Sequence, residues 1–310
     1  MKVGFVVDPL DQLKPYKDSS IAMMREAARR GHEIHAFEAR EMSVREGAVR
    51  ARMRRLAVSN DDQAWFEAGE EREAPLAELD LVMMRKDPPF DQEYYYATLL
   101  LDRAEAEGVR VVNRPGALRD WNEKLGILRF PQFTPATLVT ADMGLLQDFV
   151  EAHRDVVVKK LDGMGGAMIF RIGVADPNRN VILETVTDMG TRTIMAQRYV
   201  PEIRDGDKRV LVIGGAPFPH CLARIPKPGE TRGNLAAGGR GEARPITARD
   251  REIGETVGRV VAAEGIAFAG LDVIGDWLTE INVTSPTCIV EIREQTGHDA
   301  ARALFDTLEG

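Results

Sequence analysis

At 310 residues, 44% hydrophobic and 29% charged, the chain has the length for two or three domains with a sizeable core. A formal net charge of −8 argues against general nucleic-acid binding, which relies on a basic surface. Cys221 and Cys288 stand far apart with no CxxC, which argues against a disulfide framework and a cysteine zinc site and points to a reducing cytoplasm.

The opening "MKVGFVVDPL" has a five-residue apolar core, too short for a signal peptide or a membrane span. Within it, "KVGFVV" (2–7) is a continuous apolar run, the pattern of a strand buried on both faces. A helix is expected over 18–31, with Asp18, Ser19 or Ser20 able to cap its start and Gly31 its end. Strands are expected at 32–38, 79–85 and 109–113, with a helix at about 91–107. This β-α-β alternation predicts an open, mainly parallel sheet in the first 120 residues. The first strand is not followed by GxGxxG, so no dinucleotide is indicated. "RARMRR" (50–55) alternates basic with apolar residues and reads as one solvated face of a strand pair.

After "NRPGALRDWNEKL" (113–125) the rhythm changes. Short strands are expected near 137–139, 156–160, 167–172, 193–199 and 208–213, with a helix at 142–153. A long irregular stretch over 225–245 follows, then a helix at about 247–264, a strand pair over 268–283 and a closing helix.

The chain contains no GxxxxGK[ST], HExxH or GxSxG. Any phosphate chemistry must therefore use another device. "VVVKKLDGMGGAMIFRI" (156–172) reads as strand, glycine loop, strand. Such a loop can fold its N–H groups over a polyphosphate beside a lysine, or it can be a plain hairpin with a flexible tip. In "GLDVIGDWLTEINVTSPT" (270–287), a three-residue loop at Gly275–Trp277 would pair Asp272 with Glu280 and put Asp272, Glu280 and Asn282 on one face. Opposed carboxylates repel unless a positive charge lies between them, and hard oxygens at that spacing suit Mg²⁺ shared with nucleotide phosphates. A two-residue turn would separate the carboxylates onto opposite faces, and the plain alternative is an edge hairpin with solvated acids. Arg209 and Arg224, at strand ends, can clamp a carboxylate or a transferring phosphoryl group, or simply form surface salt bridges.

Taken together, "MRKDPPFD" (84–91), "NEKL" (122–125), "LDGMGGA" (161–167), "DGDKRVLV" (205–212), "CLARIP" (221–226), "GETRGNLAAGGRGE" (229–242) and "TEINVTSPTCI" (279–289) resemble the bacterial glutathione synthetase family of the ATP-grasp superfamily. The resemblance runs almost the whole length. It implies an ATP-grasp fold behind an N-terminal α/β domain, divided as 1–122, 123–200 and 201–310, with a lid loop over 226–242. It implies ATP-dependent joining of γ-glutamylcysteine to glycine through an acyl phosphate, in a cytoplasmic homotetramer using Mg²⁺ or Mn²⁺, without nucleic-acid or membrane partners.

By the same resemblance, Lys124 and Lys159 contact the phosphates and Gly163, Gly165 and Gly166 cover them. Gln197, Arg198, Tyr199 and Val200 meet adenine, and Asp207 reaches the ribose. Asp272, Glu280 and Asn282 match the metal positions. Arg209, Arg232 and N–H groups near Gly239 serve the reacting centre, and Arg85, Arg224, Arg232, Asn282, Ser285 and Thr287 the substrates. Lys160 stands where the family has proline, so either lysine of the pair can be the phosphate contact; alternation from Val158 favours Lys159. The rivals are another carboxylate–amine ligase of the superfamily, such as a D-alanine–D-alanine ligase, and a non-catalytic ATP binder such as the synapsins.

Overall fold

The computed structural model describes residues 1–230, 233, 235 and 238–310. Among them, three sheets follow one another along the chain. The first opens with β1 (Lys2–Val6), whose last four residues are buried as an all-apolar run requires. α1 (Ser19–Arg29) is capped by Asp18, whose carboxylate accepts from the backbone N–H groups of Ser20 and Ile21. β2 (Glu33–Phe37), β3 (Met42–Arg45), β4 (Ala48–Val58), β5 (Phe66–Pro75) and β6 (Leu81–Met84) follow. α2 (Gln92–Ala106), β7 (Arg110–Val112) and α3 (Pro115–Asp120) complete this part.

The strand order is β3-β4-β2-β1-β6-β7, with β5 on β4. Only β2-β1-β6-β7 is parallel; β4 joins β2 antiparallel and carries β3 and β5 antiparallel. The sheet is thus half parallel rather than mainly so, because the 42–75 segment is a meander of tight connections instead of a crossover. The arginines of β4 form the expected solvated face. Arg50 reaches Glu73 at 2.9 Å and Arg54 reaches Glu71 at 2.7 Å across the strand pair.

The second sheet contains β8 (Thr137–Thr140), β9 (Asp155–Lys160), β10 (Ile169–Gly173) and β11 (Ile194–Arg198), in the order β10-β9-β11-β8. α4 (Met143–His153) and α5 (Arg179–Val186) cover one face. Leu146, Val150, Val156, Val158, Leu183 and Ile194 give this part a hydrophobic cluster of its own.

The third sheet has the order β14-β13-β12-β15-β16. Its strands are β12 (Asp207–Ile213), β13 (Ala216–Ile225), β14 (Arg240–Pro245), β15 (Phe268–Ile274) and β16 (Trp277–Asn282). α6 (Ala248–Ala263) starts at a capping box between Thr247 and Asp250. α7 (Ile289–Thr296) and α8 (Ala300–Glu309) stand where one closing helix is expected, split by Gly297 at a φ of 75°.

Buried Asn113 ties the first sheet to the third. Its amide donates to the carbonyls of Phe268 and Val283, both at 2.7 Å, and its oxygen accepts from the N–H groups of Ala267 and Phe268. All its hydrogen-bonding capacity faces protein, so the two sheets are fixed to each other at this point.

Candidate active site

The β15–β16 hairpin sets the chemistry. The chain turns in two residues, Gly275 and Asp276, so Ile274 pairs with Trp277 and Val273 with Leu278. This overturns the expected three-residue loop. Asp272 nevertheless pairs with Glu280, and Gly270 with Asn282, because a bulge at Thr279 takes up the odd residue. The Thr279 hydroxyl donates to the Asp272 carbonyl at 3.1 Å, bracing the bulge. The carboxylates of Asp272 and Glu280 and the amide of Asn282 therefore share one face and line one cavity.

The β9 side brings positive charge to these acids. Lys159 is buried, and its Nζ lies 3.2 Å from both Glu280 Oε1 and the Thr279 carbonyl. Lys160, one residue on, does not line the cavity. Lys124 donates to the Gly163 carbonyl at 2.7 Å and to Glu123, with Glu280 Oε1 at 3.8 Å. Asn122 fixes this turn, its oxygen accepting from the N–H groups of Lys124 and Leu125 and its amide donating to the Leu161 carbonyl. Burial works against the Lys124 ammonium, but Glu280 and Glu123 outweigh it and raise its pKa. Gly163, Gly165 and Gly166 line the cavity, and the last two hold φ of 62° and 84°, backbone that favours glycine.

From β12 and β13 come two guanidiniums. Arg209 donates to Asp272 Oδ1 at 2.6 Å, and Arg224 lies 2.9 Å from Asp272 Oδ2 and 2.5 Å from Asp207 Oδ2. Burial pushes the Asp272 carboxyl up, but the two arginines outweigh it and hold it at about 2. Burial also raises Asp207, to about 6, against the pull of Arg224, and its Oδ1 is buried without a hydrogen-bond partner. At the centre of the cavity, then, Lys124, Lys159, Arg209 and Arg224 balance Glu123, Asp207, Asp272 and Glu280. An incoming polyanion that arrives with a divalent cation disturbs that balance less than the polyanion alone.

At the far end, Gln197, Arg198, Tyr199 and Val200 line the wall where β11 leaves the second sheet. Gln197 is held by a 3.1 Å hydrogen bond to the Thr137 hydroxyl. Arg171 stacks over the Tyr199 ring with its guanidinium carbon 3.8 Å from the centroid, while Asp155 pairs with it at 2.5 Å. The whole cavity measures about 580 Å³, inside the range of roughly 300–1,000 Å³ usual for small-molecule sites.

Not every expected residue reaches this space. Ser285 and Thr287 line it; Arg85 does not. Arg85 is buried behind the wall, donating to the Ser20 hydroxyl at 3.1 Å and the Pro286 carbonyl at 2.9 Å. It braces the 285–287 segment from behind the wall, with two of its five N–H donors used in these bonds. Gly239 also lies outside the lining, packed so closely on the Gly233 carbonyl that an added Cβ would stand 2.4 Å away. Arg232 lies outside the described residues, while Gly233 and Leu235 of the same loop line the cavity. Residues that motif reading did not single out are Glu123, Arg171 and Glu291 in the lining and Asn113 behind it. Asn113 and Glu291 end apolar runs and Arg171 interrupts one, signals that are common on any surface, while Glu123 in "DWNEK" (120–124) carries none.

Which residues can hold a metal follows from donor chemistry. Among the described residues, no three His, Cys, Asp or Glu gather as a self-sufficient cage. Two opposed carboxylates and an amide oxygen, one acid held ionised, fit a hard divalent cation that takes its other ligands from phosphate and water.

Two α+β halves closing lysines and a glycine loop over a carboxylate hairpin define an ATP-grasp fold. The chain aligns with the D-cycloserine synthetase DcsG at a TM-score of 0.70 and 13% identity, over 99% of this chain and 98% of that one. It aligns with the ATP-grasp ligase PsnB at 0.62 and 20% identity, over 100% and 98%. The family model for the N-terminal domain of prokaryotic glutathione synthetase matches residues 1–119, and that for its ATP-grasp domain matches 123–297. Glutathione synthetases of Nitrosomonas europaea and Pseudomonas putida are each 54% identical, and that of Salmonella typhimurium 53%, all covering 100% of this chain and 98% of theirs. The chain belongs to the prokaryotic glutathione synthetase family, and its activity class is ATP-dependent carboxylate–amine ligation.

Proposed function

We propose that the chain joins γ-glutamylcysteine to glycine with ATP, releasing glutathione, ADP and phosphate. The observation that carries this reading is the meeting of Lys124, Lys159, Arg209 and Arg224 with the Asp272–Glu280 pair in one cavity, in a chain collinear with its named relatives. A carboxylate resists attack by an amine because its charge is delocalised and oxide is a poor leaving group. Transfer of the γ-phosphoryl group to the cysteinyl carboxylate makes an acyl phosphate and releases ADP. The glycine amine then attacks the carbonyl carbon, and phosphate leaves from the tetrahedral adduct.

In this reading Lys124 and Lys159 hold the phosphates under Gly163–Gly166, Gln197–Val200 take adenine, and Asp207 takes the ribose. Asp272, Glu280 and Asn282 would hold Mg²⁺ or Mn²⁺, which supplies charge neutralisation to the migrating phosphoryl group. Arg209 stabilises the tetrahedral oxyanion, with Arg232 assigned beside it from the family motif; Gly239, outside the lining, would have to move to bring its N–H there. Arg224, Ser285 and Thr287 orient the dipeptide. The loop over 226–242 keeps water from the acyl phosphate. We extend the proposal to units at 1–122, 123–200 and 201–310 and to a cytoplasmic homotetramer, which sedimentation would register as four times the 34.3 kDa chain.

The deciding experiment supplies ATP, Mg²⁺ and γ-glutamylcysteine and follows ADP with and without glycine. Steady ADP release that depends on glycine, with a matching amount of tripeptide, is expected. Equal turnover with D-alanine, or none with any amine, would overturn the assignment.

A further inference from the structure

α2 is apolar on two sides, and the fold covers only one of them. Tyr94, Ala97, Leu101 and Ala104 are buried in a hydrophobic cluster with Val82 and Val111 of the first sheet. Tyr95, Tyr96 and Leu99 are 39%, 50% and 41% exposed. Beside them α2 packs against β3, where alternation puts Val44 on the side of buried Met42, and Val44 is 52% exposed. A helix that is apolar most of the way round belongs in an interior, and large apolar side chains open to water on neighbouring elements mark a contact surface. No residue of α2 lines the central cavity, so this surface has no part in the site described above.

The order of residues along this face indicates what covers it. Gln92, Tyr96, Leu99 and Arg103 are all exposed and stand at spacings of four, three and four, so they form one stripe along roughly 16 Å of helix. That spacing reads the same in both directions. A second copy laid antiparallel therefore sets Tyr96 on Leu99 and Leu99 on Tyr96, with Gln92 beside Arg103 at each end. The charges agree with this direction, since Glu93 is the acid of the first turn and Arg103 the base of the last. Antiparallel packing brings them together twice, whereas a parallel copy would set arginine against arginine. Arg103 donates through Nε to Glu107 at 3.0 Å and through Nη2 to the Gly47 carbonyl at 2.9 Å, which leaves Nη1 for a partner.

We propose that the outer face of α2 is an interface between two copies of this chain, packed antiparallel about a twofold axis between Tyr96 and Leu99. Each contact then occurs twice, so the aromatic–aliphatic pairs leave water at the centre while the charges lie at the rim. This inference rests on the homotetramer reading. A tetramer built on twofold axes needs more than one interface, and this surface supplies one.

Sedimentation of the wild type and of four variants, over a range of concentrations, tests it. Leu99→Arg should weaken the contact at least about 30-fold and halve the assembled mass, with the circular-dichroism spectrum unchanged. Glu93→Arg and Arg103→Glu should each weaken it as well, because each sets like charges opposite one another. The double variant, Glu93→Arg with Arg103→Glu, should assemble within about tenfold of the wild type, although it carries both local costs to the helix. An antiparallel copy predicts that rescue; a different protein seated on this face would not be restored by it. A Leu99→Arg chain that assembles as the wild type does, or a double variant no better than its singles, overturns the surface and leaves the homotetramer standing. A wild type that sediments as a single 34.3 kDa chain at every concentration overturns the homotetramer, and the surface with it.

Discussion

Lys159 and Lys160 differ by one residue and by everything that matters at the site. β9 alternates, so Lys159 points to Glu280 at 3.2 Å while Lys160 stays out of the lining. Lys159→Met keeps the aliphatic stem and deletes the charge, leaving Glu280 with less compensation. ATP affinity and turnover should each fall at least about tenfold, about 1.4 kcal/mol or more, whereas Lys160→Met should change either less than about threefold. Titration of both variants with a non-hydrolysable ATP analogue checks this, and the reverse ranking moves the phosphate contact. Asp207 offers a test by pH. Its folded pKa of about 6 lies above its ordinary 3.8, so the fold favours the protonated form. Stability from this group is therefore fullest below pH 4 and is lost as pH rises to about 6, a change on the order of 3 kcal/mol. Asp207→Asn should flatten that part of the profile of unfolding free energy against pH. Parallel profiles for variant and wild type would show that Asp207 ionises in the fold as freely as in the unfolded chain.

At the scale of elements, the hairpin shows what a sequence reveals and what it hides. The opposition of Asp272 and Glu280 was legible from parity alone: one odd residue must be absorbed between them if both are to share a face. Where it is absorbed was not legible. A three-residue loop and a two-residue turn with a bulge give the same register at residue 280, and backbone geometry rather than side-chain type decides between them. The bulge has a consequence the loop lacks, since it presents the Thr279 carbonyl to Lys159. Deleting Thr279 should leave a regular hairpin with the carboxylates still opposed and turnover within about tenfold of wild type. Inserting one glycine after Thr279 should carry Glu280 to the other face and abolish ligation. Dead deletion and active insertion variants would reverse this account of the register. Of the antiparallel meander of 42–75, only the arginine face of one strand pair was legible, for a related reason. Its strands pair locally and are charged on one face, so the apolar runs that marked β1 and β6 are missing. Arg85 differs: its motif places it in the chain, but its position behind the cavity wall, against Ser20 and Pro286, is a tertiary outcome that no local pattern encodes.

At the scale of the whole molecule, the cavity exists because all three sheets supply part of it. Loop residues before α1, the glycine loop between β9 and β10, and the face of β12, β13, β15 and β16 enclose one space. Such an arrangement separates holding the nucleotide from protecting the intermediate. On the proposed assignment the first draws on the second and third sheets, and the second needs a cover over the reacting carboxylate. Gly233 and Leu235 of the 226–242 loop reach the cavity, and Gly233 lies so near the Arg224 carbonyl that an added Cβ would stand 2.3 Å from it. Gly233 is thus seated against the strand that carries Arg224, the arginine we propose for the dipeptide. Replacing residues 228–238 with a short glycine linker should leave affinity for an ATP analogue within a few-fold of wild type. With ATP, γ-glutamylcysteine and glycine present, ADP should then form in excess of tripeptide, because water reaches the acyl phosphate before the amine does. The ratio of ADP to tripeptide, near one in the wild type, is the quantity to measure. If it stays near one in the shortened variant while turnover holds, the cover must come from another part of the chain. The glycine loop at 163–166 is then the next segment to shorten, since it lines the same cavity and is the cover we propose for the phosphates.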